Sequence, residues 1–190
     1  MESLLKKNID KYMKISNETL NFLTEKAVYI KLKPRDSFLQ AGKVAKRVGF
    51  LKRGILRAYF IDKQANNVTS YFYYLPKNDI VILHTSFSEE TPAQHTIEAI
   101  TESEIFFFWK NDIIKAEAKF QEISQLRRII AEQQYMKSSK RINDLQTKSA
   151  RDLYSDFINE AGELILHVPQ HMIASYLGMS QFTLSKIKKQ

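Results

Sequence analysis

The chain of 190 residues contains no cysteine. That absence removes disulfide frameworks, thiolate zinc sites, cysteine-ligated iron–sulfur clusters and cysteine nucleophiles together. Nor does any stretch approach the roughly 20 consecutive apolar residues of a membrane helix, because the greasiest run, Glu104 to Trp109, is only strand-sized. The opening Met1-Glu2-Ser3-Leu4-Leu5-Lys6-Lys7 has neither the apolar core nor the small-residue cleavage site of a secretory signal. A cytoplasmic protein with no membrane partner is therefore expected. Internal repeats and low-complexity segments are missing too. No Ser-His-Asp grouping, Gly-rich phosphate loop or paired-carboxylate motif stands out, so no catalytic residue is assigned and an enzyme is not expected. Four histidines, His84, His95, His167 and His171, invite a metal reading, but their spacing argues against one. His167 and His171 are separated by Pro169, which puts them on a strand end and a helix start rather than on one helical face. No metal site and no cofactor are expected.

What the sequence does hold is enough apolar material for a core, 44% of residues, and an excess of positive charge. Lys and Arg number 29 against 21 Asp and Glu, a difference of +8. A polyanionic partner fits that balance, although charge by itself is weak evidence.

Three textures follow one another. Up to about Leu32 the spacing predicts helices, with Leu4, Leu5, Ile9 and Tyr12 on one face and a second short helix starting after Ser16. From Val28 to Trp109 short alternating or aromatic runs are separated by turn signals such as Pro34-Arg35-Asp36, Gly54, Asn66-Asn67 and Pro76-Lys77-Asn78-Asp79. That spacing predicts a compact antiparallel barrel or roll. After Trp109 the pattern turns helical. Between about Phe120 and Gln146 there is no Pro or Gly, and Ile123, Leu126 and Ile130 recur at three- and four-residue intervals. A helix this long projects beyond a small domain's core, so Ile123, Leu126 and Ile130 are expected to face a second copy of the chain. A further helix ends at Gly162, and Leu164-Ile165-Leu166 reads as a short strand.

The segment from Pro169 to Lys189 carries the strongest functional signal. Pro169 suits a first helical turn, where its missing N–H is not needed. Ala174 is small where a second helix must come close, Gly178 ends the first helix, and Ser180 can cap the next. Leu184 and Ile187 face back toward Ile173 and Leu177. This is helix-turn-helix grammar. The second helix keeps Gln181, Phe182, Ser185, Lys186 and Lys189 on its outer side, with Lys188 nearby and no acid after Glu163. Its N-terminal half can reach base edges and its C-terminal lysines can reach phosphates. The DNA-binding residues are therefore expected to be Ser180, Gln181, Phe182, Ser185, Lys186, Lys188 and Lys189. The bland alternative is a hairpin of helices that only packs.

Taken whole, the chain resembles the Crp/Fnr family of bacterial transcription regulators, most closely the short members common in Bacteroidetes-type bacteria. The resemblance rests on the helical lead-in, the Gly-Phe-Leu-Lys-Arg-Gly-Ile-Leu-Arg-Ala-Tyr-Phe run at 49–60, Thr-Ile-Glu-Ala-Ile at 96–100, the long helix, and Val-Pro-Gln-His-Met-Ile-Ala-Ser-Tyr-Leu-Gly-Met-Ser at 168–180. It implies an α+β fold: an N-terminal antiparallel, jelly-roll-like sensor roll of the cyclic-nucleotide-binding type over 1–118, a long dimerisation helix over 119–146, and a helix-turn-helix DNA-binding domain over 147–190. Implied partners are double-stranded DNA, a second copy in a homodimer, RNA polymerase and an unknown small-molecule effector. The docking geometry expected of the helix-turn-helix is that of the family's catabolite activator, with the second helix in the major groove.

Departures from the family pattern matter as much. Members that bind cyclic nucleotides carry a Glu for the ribose and an Arg for the cyclic phosphate; the matching positions here are Leu83 and Ala93-Gln94. An anionic phosphate buried without a cation is costly, so the cassette is expected to be degenerate. His84, Gln94, His95 and Thr96 remain as candidate residues for an effector pocket. In the recognition helix, Gln181, Phe182 and Lys186 replace the family's Arg, Glu and Arg, which implies a different target sequence. The sequence ends at Gln190, before the hairpin that usually follows this helix. A sequence-specific transcription regulator is the leading expectation; the alternative is a ligand-binding or protein-interaction module whose C-terminal helices only pack.

Overall fold

A computed structural model describes residues 2–189. Two helices lead in, α1 (Glu2–Ile9) and α2 (Asn17–Lys26), and the second starts where the Ser16 hydroxyl accepts from the Thr19 N–H. The strands follow: β1 (Val28–Leu32), β2 (Ser37–Leu39), β3 (Arg47–Arg53), β4 (Leu56–Ile61), β5 (Asn67–Tyr73), β6 (Ile80–Val81), β7 (Thr96–Ala99) and β8 (Ser103–Trp109). A short helix, α3 (His84–Glu89), sits between β6 and β7. Beyond the strands come α4 (Lys110–Lys119), α5 (Gln121–Thr147), α6 (Ala150–Ala161), α7 (Leu164–His167), α8 (Gln170–Tyr176) and α9 (Gln181–Lys188).

The strands form two antiparallel four-stranded sheets, in the orders β1-β8-β3-β6 and β2-β7-β4-β5. Leu51, Leu56, Ala58, Tyr73, Ile97, Ile105 and Phe107 fill the space between them. Side chains alternate across a strand, so the neighbours of these residues point outward. On the first sheet the outward Phe50, Ile80 and Phe108 are covered by α1, α2, α4 and the start of α5 through Leu5, Ile9, Leu23, Ile113, Ile123 and Leu126. Because helices cover its outer face, β8 is apolar on both sides and reads as one greasy run rather than an alternation. Gly54 makes the tight turn between β3 and β4 at φ +97°, where a Cβ would come within 2.3 Å of the Ser103 hydroxyl.

Two expectations need correction. Leu164–Leu166 is not a strand: α7 is one helical turn, closed by the Val168 N–H on the Leu164 carbonyl at 3.1 Å. Three consecutive apolar residues cannot distinguish the two states, and no strand pairs with this segment, so the turn satisfies its own backbone. The second correction concerns α5. Its 27 residues span about 40 Å, but Ile123 and Leu126 are buried in their own chain against the roll and lead-in helices, and Ile130 is partly buried beside them. The stripe expected to meet a partner is spent inside the subunit. Left exposed on α5 are Tyr135, Met136, Ile142 and Leu145.

Candidate nucleic-acid interface and sensor cavities

The helix-turn-helix is built by local chemistry. Pro169 precedes the first turn of α8, and Gly178, at φ +68°, turns the chain after it. The Met179 N–H closes back on the Ala174 carbonyl at 3.0 Å, satisfying a helix-end acceptor. Ser180 then caps α9: its hydroxyl accepts from the Thr183 N–H at 3.0 Å. Ile173, Ala174, Leu177 and Leu184 are buried together with Phe157 and Ala161 of α6, Leu164 and Val168, so α6, α8 and α9 share one core. Ala174 is 1% exposed, which is the close approach that requires a small side chain there.

On the outer side of α9, Gln181, Phe182, Lys186 and Lys188 are exposed, as are Ser180 before it and Lys189 after it; Ser185 is half-buried. Phe182 is 81% exposed, a large apolar ring one helical turn from Lys186. No acidic side chain occurs from Leu164 onward, so the charged side chains that α9 itself carries are all lysines.

The domain is docked on the roll. Ser175 of α8 accepts from the Thr69 N–H of β5, the last strand of its sheet, at 3.2 Å. Tyr176 packs at 5.0 Å from Phe72 of β5 and 5.6 Å from Phe157 of α6. From α5, the Arg141 guanidinium lies 3.7 Å over the Tyr176 ring and donates to the Tyr176 carbonyl. Lys137 donates to the Lys77 carbonyl and the Asn78 side chain, both at 2.9 Å, and Lys77 donates to the Glu160 carbonyl of α6 at 2.8 Å. These contacts join distant parts of the chain and carry no sequence periodicity. Sequence reasoning missed all of them.

The candidate effector residues do not converge. Leu83 packs with the roll interior, Ala93 is buried and Gln94 is exposed. Thr96 uses its hydroxyl to accept from the Ala41 N–H at 3.1 Å. His95 lies edge-on to Phe60 at 5.3 Å, and burial holds its imidazole below the usual range. It borders the cleft between β5, α5 and α6, whereas His84 lines a separate cavity against the first half of α5. The two histidines therefore line different cavities. Inside the roll, Tyr73 is fully buried and donates to the Ile82 carbonyl at 2.8 Å, with the Tyr71 ring at 5.0 Å. The charged pair that survives in this sheet is Arg57 with Glu98 at 2.6 Å, and Arg57 also donates to the Thr69 hydroxyl. Among the described residues no cluster of His, Asp and Glu could hold a metal ion, and no helix is long and apolar enough to cross a membrane.

No family model matches the chain, and neither does any curated protein. Solved structures do. The chain is similar to FixK2 from Bradyrhizobium japonicum at 18% identity and a TM-score of 0.72, covering 86% of this chain and 83% of that one. The c-di-GMP-responsive global regulator CLP of Xanthomonas campestris matches at 10% identity and a TM-score of 0.73, over 92% and 90% of the two chains. The catabolite activator protein of Thermus thermophilus matches at 11% identity and 0.60, over 96% and 85%. At such identities the shared property is the fold, and that fold is the one of the Crp/Fnr regulators.

Proposed function

We propose that the protein is a homodimeric, sequence-specific DNA-binding regulator of transcription whose sensor roll does not use a cyclic nucleotide. The observation that carries the reading is α9: a capped helix on a three-helix core, with Gln181, Phe182, Lys186 and Lys188 exposed and no acid of its own. In such a helix Gln181 suits bidentate contact with adenine, Phe182 suits a thymine methyl, and the lysines suit phosphates. RNA polymerase is the partner this reading implies downstream.

Two copies are needed to span two half-sites about 34 Å apart. The exposed face of α5 supports a pairing seam that differs from the one periodicity suggested. Tyr135, Ile142 and Leu145 stand 7 and 3 residues apart with Ala131 and Ser138 between or before them, a four-three alternation of the kind that helices use to pair. The degenerate sensor is supported by Leu83 and Ala93 in place of the ribose and phosphate ligands, and by Tyr73 occupying the roll interior.

The packing-only alternative has the docked α8 in its favour, but it leaves the outer face of α9 without a role. Binding to random duplex DNA separates the two. A regulator loses affinity steeply as salt rises, because each neutralised phosphate releases counterions; a packing module shows no such binding. Selection of DNA sites by the purified protein should then return a two-fold symmetric sequence.

A further inference from the structure

A cavity of about 370 Å³ lies between the outer face of the β1-β8-β3-β6 sheet and the first half of α5. Its walls include Val48, Phe50, Ile82, Phe108, Leu126 and Ile130. It is distinct from the roll interior. Along β6 and the residues after it, Ile80 and Ile82 pack outward against the helices, while Val81 and Leu83 pack inward, so the sheet itself separates the two spaces. The volume falls within the range of small-molecule sites, and the lining matches their usual character: mostly apolar, with a few convergent polar groups.

Those polar groups are His84 and a guanidinium pair. The His84 Nε2 is buried and has no hydrogen-bond partner among the described residues. Burial, with the nearby Arg127 charge, holds the imidazole below its usual range and therefore neutral, so Nε2 can carry the hydrogen and donate. Arg127 and Arg128 also line the cavity, as does Glu117. Arg127 is bound to Glu117, and Arg128 to Glu132 at 2.8 Å. Each guanidinium thus already has its carboxylate, and the donors left to a ligand are the His84 Nε2 and the Arg127 N–H groups that Glu117 does not take.

We infer that this cavity is a binding site for an apolar monocarboxylate, whose hydrocarbon body fills the space between sheet and α5 and whose carboxylate meets His84 and Arg127. Apolar walls select the hydrocarbon. The carboxylate answers the two remaining features together: it accepts from the unpartnered Nε2 and forms a charge-assisted contact with Arg127. An alcohol brings no charge to Arg127, and an ammonium has no lone pair to accept from the Nε2–H. At ordinary packing density the volume suits a chain on the order of ten to sixteen carbons. The site is independent of DNA binding; a role as the effector site of a regulator rests on the reading above.

Calorimetric titration of the full chain with decanoate, decanol and decylamine tests the inference. Decanoate should bind once per chain, at least tenfold more tightly than decanol, and decylamine should give no saturable signal. His84→Phe, which keeps an aromatic ring, and Arg127→Met, which keeps the stem, should each weaken decanoate at least tenfold. Ser124→Trp, at a lining position on α5, should block it. Circular dichroism identical to that of the parent shows that the variants fold. No decanoate binding, equal affinity for decanol, or affinity unchanged in all three variants overturns the assignment. None of these titrations contains DNA, so a failure here leaves the DNA-binding reading standing, and a failed salt test leaves this site standing.

Discussion

Helix α5 has one apolar face that is buried and one that is exposed, and substituting each in turn should separate stability from the proposed assembly. Leu126 is 6% exposed, in a core shared with Leu5, Ile9, Phe108 and Ile113. Leu126→Ala removes buried methylenes from a site framed by three other helices and a sheet, where collapse is limited, so a cost of about 2–5 kcal/mol is expected. For a chain of this size that lowers the melting temperature by roughly 5–20 °C. Dimer dissociation measured by sedimentation should change little. The opposite face should respond in the opposite way. Tyr135 and Ile142 are 72% and 59% exposed, so Tyr135→Asp with Ile142→Asp removes little from the subunit core. Facing each other across a two-fold axis, however, four added carboxylates would repel. Sedimentation at micromolar concentration should show monomers, with far-ultraviolet dichroism retained and the melting temperature no longer dependent on concentration. A Leu126→Ala protein that becomes monomeric without losing thermal stability, or a doubly substituted protein that stays dimeric, would refute this division of the helix.

Other expectations follow from the same structure. Gln181→Ala should relax preference at one base position by about 1–3 kcal/mol, whereas Lys188→Ala should weaken selected and random duplexes alike and flatten the salt slope by about one; identical effects of the two would remove the case for base readout. Cyclic AMP and cyclic GMP should give no micromolar isotherm in calorimetry, since Leu83 and Ala93 offer neither a hydroxyl acceptor nor a cation and charge-assisted bonds are worth roughly 1.5–3 kcal/mol each; a stoichiometric micromolar isotherm would mean that other groups hold the phosphate. Gly178→Ala should destabilise the protein by about 1–2 kcal/mol in urea unfolding, because the position is held at φ +68°. His84 has a folded-state pKa below its ordinary 6.5. The unfolded chain therefore takes up this proton first as pH falls, so stability is full above about pH 6.5 and declines below it. His84→Phe should lose less stability than the parent between pH 7.5 and 5.5, as read from urea midpoints.

Much of the roll was legible because its signals are local. Alternation in Ile55–Phe60 and Val68–Tyr74 and the turn residues between them match β4 and β5 to within a residue or two. The elements that pattern reading passed over are short: β2 has three residues, β6 two and α3 six. A strand of two residues shows no period, and its existence depends on Phe50 and Gly49 of β3 lying opposite. The misread turn at Leu164–Leu166 has the same origin, since hydrophobicity without length cannot choose between states. The misassigned face of α5 is different. Ile123, Leu126 and Ile130 do form a stripe, as their spacing says, but spacing identifies a buried face and is silent on which surface buries it. Only the placement of α1, α2 and α4 around that stripe decides that it closes onto its own chain.

The same distinction explains why the helix-turn-helix was legible in the sequence and the cavities were not. A helix-turn-helix makes demands within about 20 residues: a proline, a small residue, a glycine and a capping hydroxyl follow in order, and Pro169, Ala174, Gly178 and Ser180 do so. A cavity makes no such local demand. His84 and Arg127 are 43 positions apart and come to line one cavity through the packing of α5 on the outer face of a sheet. His84 and His95, only 11 positions apart and flanking the same loop, end on different cavities because α3 and the turn after it carry the chain around the roll between them. Proximity in sequence does not decide which residues share a cavity, for a physical reason. The cavity beside His84 is enclosed by surfaces that meet only after the sheets have closed, so the residues that face a buried histidine are the ones that helix packing delivers.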